Sequence, residues 1–193
     1  WHALALLTRV GTYVGDKCPA DLALPIRGGD LDPYAGDTGQ KLVADLRARG
    51  WLSADNKTDL SRSILQSDNG QLLVDAPRDV LVLNTPRTAG CYAPQGETVE
   101  CGPLTITIDE TDATVWVSSL DGAPLAESKR LLITHLTDLQ NSGAKFGERA
   151  RQTLLDWGKL PHVVLDGRAT VRLSLPAAKG AEVWALSTSG KRV

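Results

Sequence analysis

From Ser61 onward the chain is a succession of short β-type runs separated by turns, with no long helical pattern between them. That spacing restricts the fold more than any other feature. The runs are Ser63–Gln66, Gln71–Asp75, Val80–Asn84, Leu104–Ile108, Thr114–Ser118, Lys129–Thr134, His162–Leu165, Ala169–Leu175 and Glu182–Leu186. They predict a mainly β protein, an antiparallel β-sandwich rather than βαβ units. Val80 and Val82 alternate with Leu81 and Leu83, so that run is apolar on both faces and is expected to be central. Leu104, Ile106 and Ile108 alternate with Thr105 and Thr107, the pattern of a half-exposed strand. Asp68-Asn69-Gly70 and Asp121-Gly122 supply turn chemistry.

Residues 1–58 have a different texture and are expected to form a helical and irregular segment ahead of a sandwich over 59–193. Ala3, Leu7, Val10 and Val14 repeat at helical spacing, with Leu4 and Leu6 widening the stripe, until Gly11 and Gly15 loosen it. Cys18 to Gly39 reads as a long loop, with Pro19, Pro25, Pro33 and four glycines. Thr38 is expected to cap a helix over Gln40–Arg49. Leu42, Val43 and Leu46 form its inner face, and Gly50 stops it. Two such helices cannot bury their own apolar faces, so they must lean on the second half or on something beyond this chain.

The function classes narrow on charge. Twenty-one basic and twenty-three acidic residues give a net charge of −2, which offers no basic face for nucleic acid. No apolar run approaches the roughly 20 residues of a membrane span, and the opening segment lacks the basic start of a signal peptide. The chain contains no Met, and Ser189-Gly190-Lys191 is a turn that leads into no strand; both suggest a piece cut from a longer protein.

Most chemical motifs are missing. There is no G-x-S-x-G elbow, Walker motif or G-x-G-x-x-G, and no zinc-type pairing of Cys or His. No cofactor or metal is expected. His2, His135 and His162 are far apart in sequence. Asp30/Asp32 and Asp109/Glu110/Asp112 are acidic clusters in turn-rich text, and read first as solvated loop carboxylates rather than a glycosidase pair. Asp30, Asp32 and Asp37 offer calcium-type oxygens without the EF-hand pattern. Cys91 and Cys101 are centred on Gly96. A hairpin turning there sets them opposite each other, so a disulfide and two reduced, packed thiols both stand as readings.

The densest polar stretch is Thr134 to Asn141. Leu136 and Leu139 are spaced as buried anchors, while His135, Thr137, Asp138, Gln140 and Asn141 offer donors and acceptors. One reading is a hydrogen-bonded corner after a core strand. The other is a contact surface for sugar or for a neighbouring domain, with His135, Asp138, Gln140, Asn141 and Trp157 as the candidate residues.

Two stretches carry a family likeness: Gln66-Ser67-Asp68-Asn69-Gly70-Gln71 and Asn84-Thr85-Pro86-Arg87-Thr88-Ala89-Gly90. Together they resemble the text of β-sandwich domains that follow the TIM barrel in bacterial glycoside hydrolases of the cellulase-like superfamily. Ser118-Ser119-Leu120-Asp121-Gly122, Leu131-Leu132-Ile133-Thr134, Thr137–Gly143 and Asp156-Trp157-Gly158-Lys159-Leu160-Pro161 extend the likeness over residues 60–193. Asn69 and Ser142 replace the usual Thr. The resemblance implies a non-catalytic accessory domain, with 1–58 as the end of the barrel and its linker. The upstream TIM-barrel catalytic domain is then the partner, and the family's catalytic glutamates would lie there. A self-contained carbohydrate-binding module is the alternative, and a small acid/base glycosidase a further one. If the parent is secreted or periplasmic, Cys91 and Cys101 are expected to be cross-linked and Cys18 to be buried and unpaired.

Overall fold

The computed structural model describes residues 37–148, 151–174, 180–187 and 189–193. The stripe Ala3, Leu4, Leu6, Leu7, Val10 and Val14 lies outside the described residues, as do Cys18, Asp30 and Asp32. The fold is mainly β. Its strands are β1 (Ile64–Gln66), β2 (Leu72–Asp75), β3 (Val80–Asn84), β4 (Thr88–Ala93), β5 (Thr98–Cys101), β6 (Leu104–Glu110), β7 (Ala113–Ser119), β8 (Leu131–Leu136), β9 (Leu139–Ser142), β10 (Lys145–Phe146), β11 (Leu154–Asp156), β12 (Lys159–Val164) and β13 (Arg168–Leu173). A six-stranded antiparallel sheet runs β1-β2-β3-β4-β7-β8, and a three-stranded one runs β13-β6-β5. The pairs β12-β9 and β10-β11 form two-stranded ribbons.

Register explains the core. Val82 pairs with Cys91 and Cys91 with Val115, which aligns three inward side chains in one row of the large sheet. Opposite them, Ile106 pairs with Val99 on one side and Val171 on the other. Val80, Val82, Ala89, Cys91, Ala93, Val115 and Val117 thus meet Val99, Cys101, Leu104, Ile106 and Ile108 in one buried cluster. Burying each of the larger aliphatic side chains stabilises the fold by about 1.5–3 kcal/mol. The expected centrality of Val80–Asn84 and the alternation of Leu104–Ile108 are both observed.

Two strands of the main sheets escaped the sequence reading, as did β9, β10 and β11 of the ribbons. Thr88–Ala93 carries Ala, Gly and Cys, and Thr98–Cys101 carries Glu100, so neither has the apolar bulk that marks a strand. Small residues are what β4 needs. A Cβ on Gly90 would sit 2.1 Å from the Val115 carbonyl oxygen and 2.5 Å from the Trp116 ring, so only glycine lets the indole lie so close to the strand. The β3–β4 turn is built by Thr85. Its amide donates to the Thr88 carbonyl at 2.9 Å, and its hydroxyl accepts from the Thr88 amide at 3.0 Å. The Leu125 amide donates to the Pro86 carbonyl at 2.7 Å, which pins the 120–130 loop there and lowers Leu125 into the core.

Helix α1 spans Asp37–Ala48, so Thr38 lies inside the first turn and not before it, and Asp37–Gly39 are helical rather than loop. Val43 and Leu46 are buried as expected. The helix ends on a left-handed Gly50, with the Trp51 amide donating to Leu46 and the Gly50 amide to Arg47. That is a Schellman closure. A polar seam then ties the helix to β1. Arg47 donates to the Asn56 and Thr58 carbonyls, and the buried Asn56 side chain donates to the Ser67 carbonyl at 2.9 Å. The Thr58 hydroxyl bonds both backbone groups of Gln66.

At the far end, the predicted strand Glu182–Leu186 is reduced to one bridge between Leu186 and Arg192. Trp184 is therefore not a strand residue, and the Arg192 guanidinium lies over its ring at 4.5 Å. Among the described residues no strand follows Ser189-Gly190-Lys191; the residues after the turn pair back through that bridge alone, with the Val193 amide donating to Ala185.

Candidate functional site

The candidate residues of the polar stretch fall where the chain leaves the core. Val117 pairs with Ile133 and Val115 with His135, so both β8 residues face the core side of the sheet. Both are nevertheless exposed. The three-stranded sheet packs over β3 and β4, and on β8 it is Leu131, at the start of the strand, that packs against the core. Beyond β8 the chain bends, and the Thr137 hydroxyl donates to the Leu165 carbonyl while the Leu165 amide donates to Asp138. The Asn141 side-chain amide donates to the Trp157 carbonyl at 2.9 Å, and the Ser142 hydroxyl to the Pro161 carbonyl at 2.7 Å. Gly158 adopts a left-handed φ of 65°, and a Cβ there would lie 2.4 Å from the Ser142 carbonyl oxygen. The stretch is thus a hydrogen-bonded corner.

One expectation for it fails. Leu136 and Leu139, read as buried anchors, are 57% and 61% exposed. Among the described residues no second layer covers the ribbon, so helical-type spacing of two leucines in extended chain places them on an open surface. Also exposed are Trp157, at 76%, and Leu160 and Val164, each at 71%. Leu139 and Val164 are direct cross-strand partners, as are Asn141 and His162, so these four share one face of the β9–β12 ribbon. Gln140 and Val163 share the other. Trp51 is half-buried, with Arg49 over its ring at 5.6 Å.

Asp138 lines a concavity. A cleft of about 460 Å³ is lined by Tyr92, Thr111, Asp112, Thr137, Asp138, Arg151 and Leu165. Asp138 forms a salt bridge with Arg151, whose guanidinium also lies over the Phe146 ring at 5.3 Å. The Tyr92 hydroxyl donates to Asp79 at 3.4 Å. Burial, with the nearby charges of Asp79 and Asp112, raises the Tyr92 phenol above its ordinary value, so it remains a donor at neutral pH. Acidic, basic and hydroxyl groups at one mouth suit a hydroxyl-rich ligand. Tyr92, Thr111 and Arg151 were illegible as site residues, because three separate stretches bring them together and none carries a local motif.

The acidic trio is occupied structurally. Asp109 accepts from the Thr170 hydroxyl at 2.8 Å, Glu110 faces Arg168 at 3.6 Å, and Asp112 accepts from the Gln95 amide at 2.9 Å. Among the described residues no group of three or more His, Cys, Asp or Glu side chains is placed to hold a metal ion.

The cysteines meet for a reason other than the expected hairpin. β4 belongs to the large sheet and β5 to the small one, so Gly96 sits in a corner between sheets, its amide bonded to the Ile108 carbonyl at 2.7 Å. Cys91 and Cys101 then face each other through the core, both fully buried and both free thiols. Neither a family model, nor a curated protein, nor a solved structure matches this chain.

Proposed function

We propose that the chain is a non-catalytic β-sandwich accessory domain of a carbohydrate-active glycoside hydrolase, and that its open ribbon seats against the preceding catalytic barrel. The glycoside hydrolase assignment rests on the sequence resemblance. The observation that carries the docking role is the exposure of Leu139, Leu160 and Val164 on the β9–β12 ribbon, with Leu136 and Trp157 exposed in the segments next to it in the chain. A two-stranded ribbon is marginal by itself in water, and side chains of this size gain about 1.5–3 kcal/mol each on full burial. Soluble proteins seldom leave such a cluster open unless a partner covers it.

The test compares the 193-residue chain with a longer protein that includes the upstream barrel. Val164→Ser with Leu160→Ser should leave the melting of the chain alone unchanged. The same pair should lower the melting of the longer protein and raise protease cleavage between its domains. Equal behaviour of both proteins would overturn the docking role.

A second reading is favoured by one observation. Trp157 presents an open ring on the residue whose carbonyl holds Asn141, a pairing of stacking surface and amide suited to a sugar. Carbohydrate-binding by the isolated chain on a glycan array, abolished by Trp157→Ala, would promote that reading. Turnover of aryl glycosides by the isolated chain would instead promote a small glycosidase.

A further inference from the structure

We infer that Cys91 and Cys101 form a disulfide that staples the two sheets through the core, and that it is made while the chain folds rather than afterwards. The inference is independent of what covers the ribbon.

Cys91 is held in its row by Val82 and Val115 on the large sheet. Cys101 is held opposite Leu104 on the small sheet. The corner at Pro94–Glu97 joins their strands directly, so the bridge would close a short loop. Both residues belong to the same buried cluster and have no exposed surface. Their thiols hydrogen-bond to each other, which lowers Cys91 and, with burial, pushes Cys101 up. The corner and the shared core cluster bring the two side chains to one place, where their sulfurs would close to about 2.05 Å on bonding. The alternative occupant of this position, a pair of apolar residues, would fill the same space without the weak polar contact, so the thiol pair is not a packing necessity.

A small disulfide such as oxidised glutathione serves as the oxidant. One cysteine thiolate attacks it, forming a mixed disulfide and releasing a glutathione thiolate. The second cysteine thiolate then displaces the second glutathione. The Cys91–Cys101 bond forms as the glutathione S–S bond breaks, the two cysteines are oxidised, and their two protons end on the two glutathione thiols. A reagent of that size cannot reach side chains with no exposed surface, so the exchange must precede closure of the sandwich.

The experiment uses the full chain, unfolded and reduced, then refolded with oxidised and reduced glutathione and mapped by non-reducing peptide mass spectrometry. The expected product carries a Cys91–Cys101 linked peptide, a mass lower by about 2 Da from loss of two thiol hydrogens, and one free thiol of the original three. It should also melt at a higher temperature than the reduced chain. The chain folded first under reducing conditions and then given the same oxidant should keep Cys91 and Cys101 as thiols. Refolded protein with both thiols free, or linked through Cys18, would overturn the staple. Rapid cross-linking of the folded, reduced chain would overturn its timing. Where refolding yield is low, secretion into a bacterial periplasm followed by the same peptide map reads the linkage: a Cys91–Cys101 peptide supports the staple, and free thiols overturn it.

Discussion

β6 and β12 are both six- or seven-residue strands with three aliphatic side chains, yet burial alternates strictly along β6 while every residue of β12 is exposed. β6 lies between β5 and β13 and beneath the six-stranded sheet, so one of its faces is closed on all sides. β12 has one strand partner and no layer above or below it among the described residues. The difference teaches that an apolar strand reports a capacity for burial, while the number of neighbouring layers determines whether that capacity is used. The sandwich is closed around β3–β7 and β13; the stretch from β8 to β12 is an open flank.

The contrast breaks most visibly under one substitution made in both regions. Leu104→Ala, at 1% exposure, should cost about 2–5 kcal/mol in denaturant unfolding, through lost transfer energy and a residual cavity. Leu155→Ala, at 66% exposure on β11, should change stability by less than about 0.5 kcal/mol. Comparable losses at the two sites would mean that the open flank is packed as tightly as the core.

A smaller effect sharpens where the closed region begins. Asn56→Ala removes the buried amide that donates to Ser67 and accepts from the Thr58 amide. Leaving those backbone groups unpaired should cost about 1–3 kcal/mol. The loss should appear in the same cooperative transition as the sheet. A separate early transition confined to helical circular dichroism would show that α1 is an appendage instead.

The smallest effect lies in the 120–130 loop, which bridges the closed and open regions. Asp121 accepts from the Lys129 and Ala123 amides and from the Ser119 and Ser128 hydroxyls. These bonds, led by the Lys129 amide, hold its carboxyl well below the usual carboxylate range. A depressed folded pKa means that the unfolded chain takes up the proton first as pH falls. The stabilisation is therefore complete above the ordinary value of 3.8 and is lost progressively below it, toward the folded value. Asp121→Asn should be less stable than the parent at neutral pH, and the gap should narrow as the pH is lowered from about 5 to about 2. A gap independent of pH would remove the charge from the explanation.

Much of the closed region was legible in the sequence. The alternation in Leu104–Ile108 and the double apolar run of Val80–Asn84 forecast their places in the sheets, because side-chain period and strand pleat are the same repeat. Asp68-Asn69-Gly70 and Asp121-Gly122 forecast turns, since both glycines take the left-handed backbone that such turns need. The site was less legible. Of its candidates, Asp138 reaches the cleft and Trp157 is open to solvent, but the cleft's other walls come from Tyr92, Thr111 and Arg151, which no local pattern links.

What the sequence alone determined was local: which segments extend, where they turn, and which side chains prefer to leave water. Only the tertiary structure decided that Leu139 and Val164 remain outside, that small β4 is a central strand, and that Cys91 and Cys101 meet across two sheets. Each of those outcomes depends on layers contributed by strands far away in the chain. A residue's own neighbours fix its periodicity, but its burial is set by what packs over it.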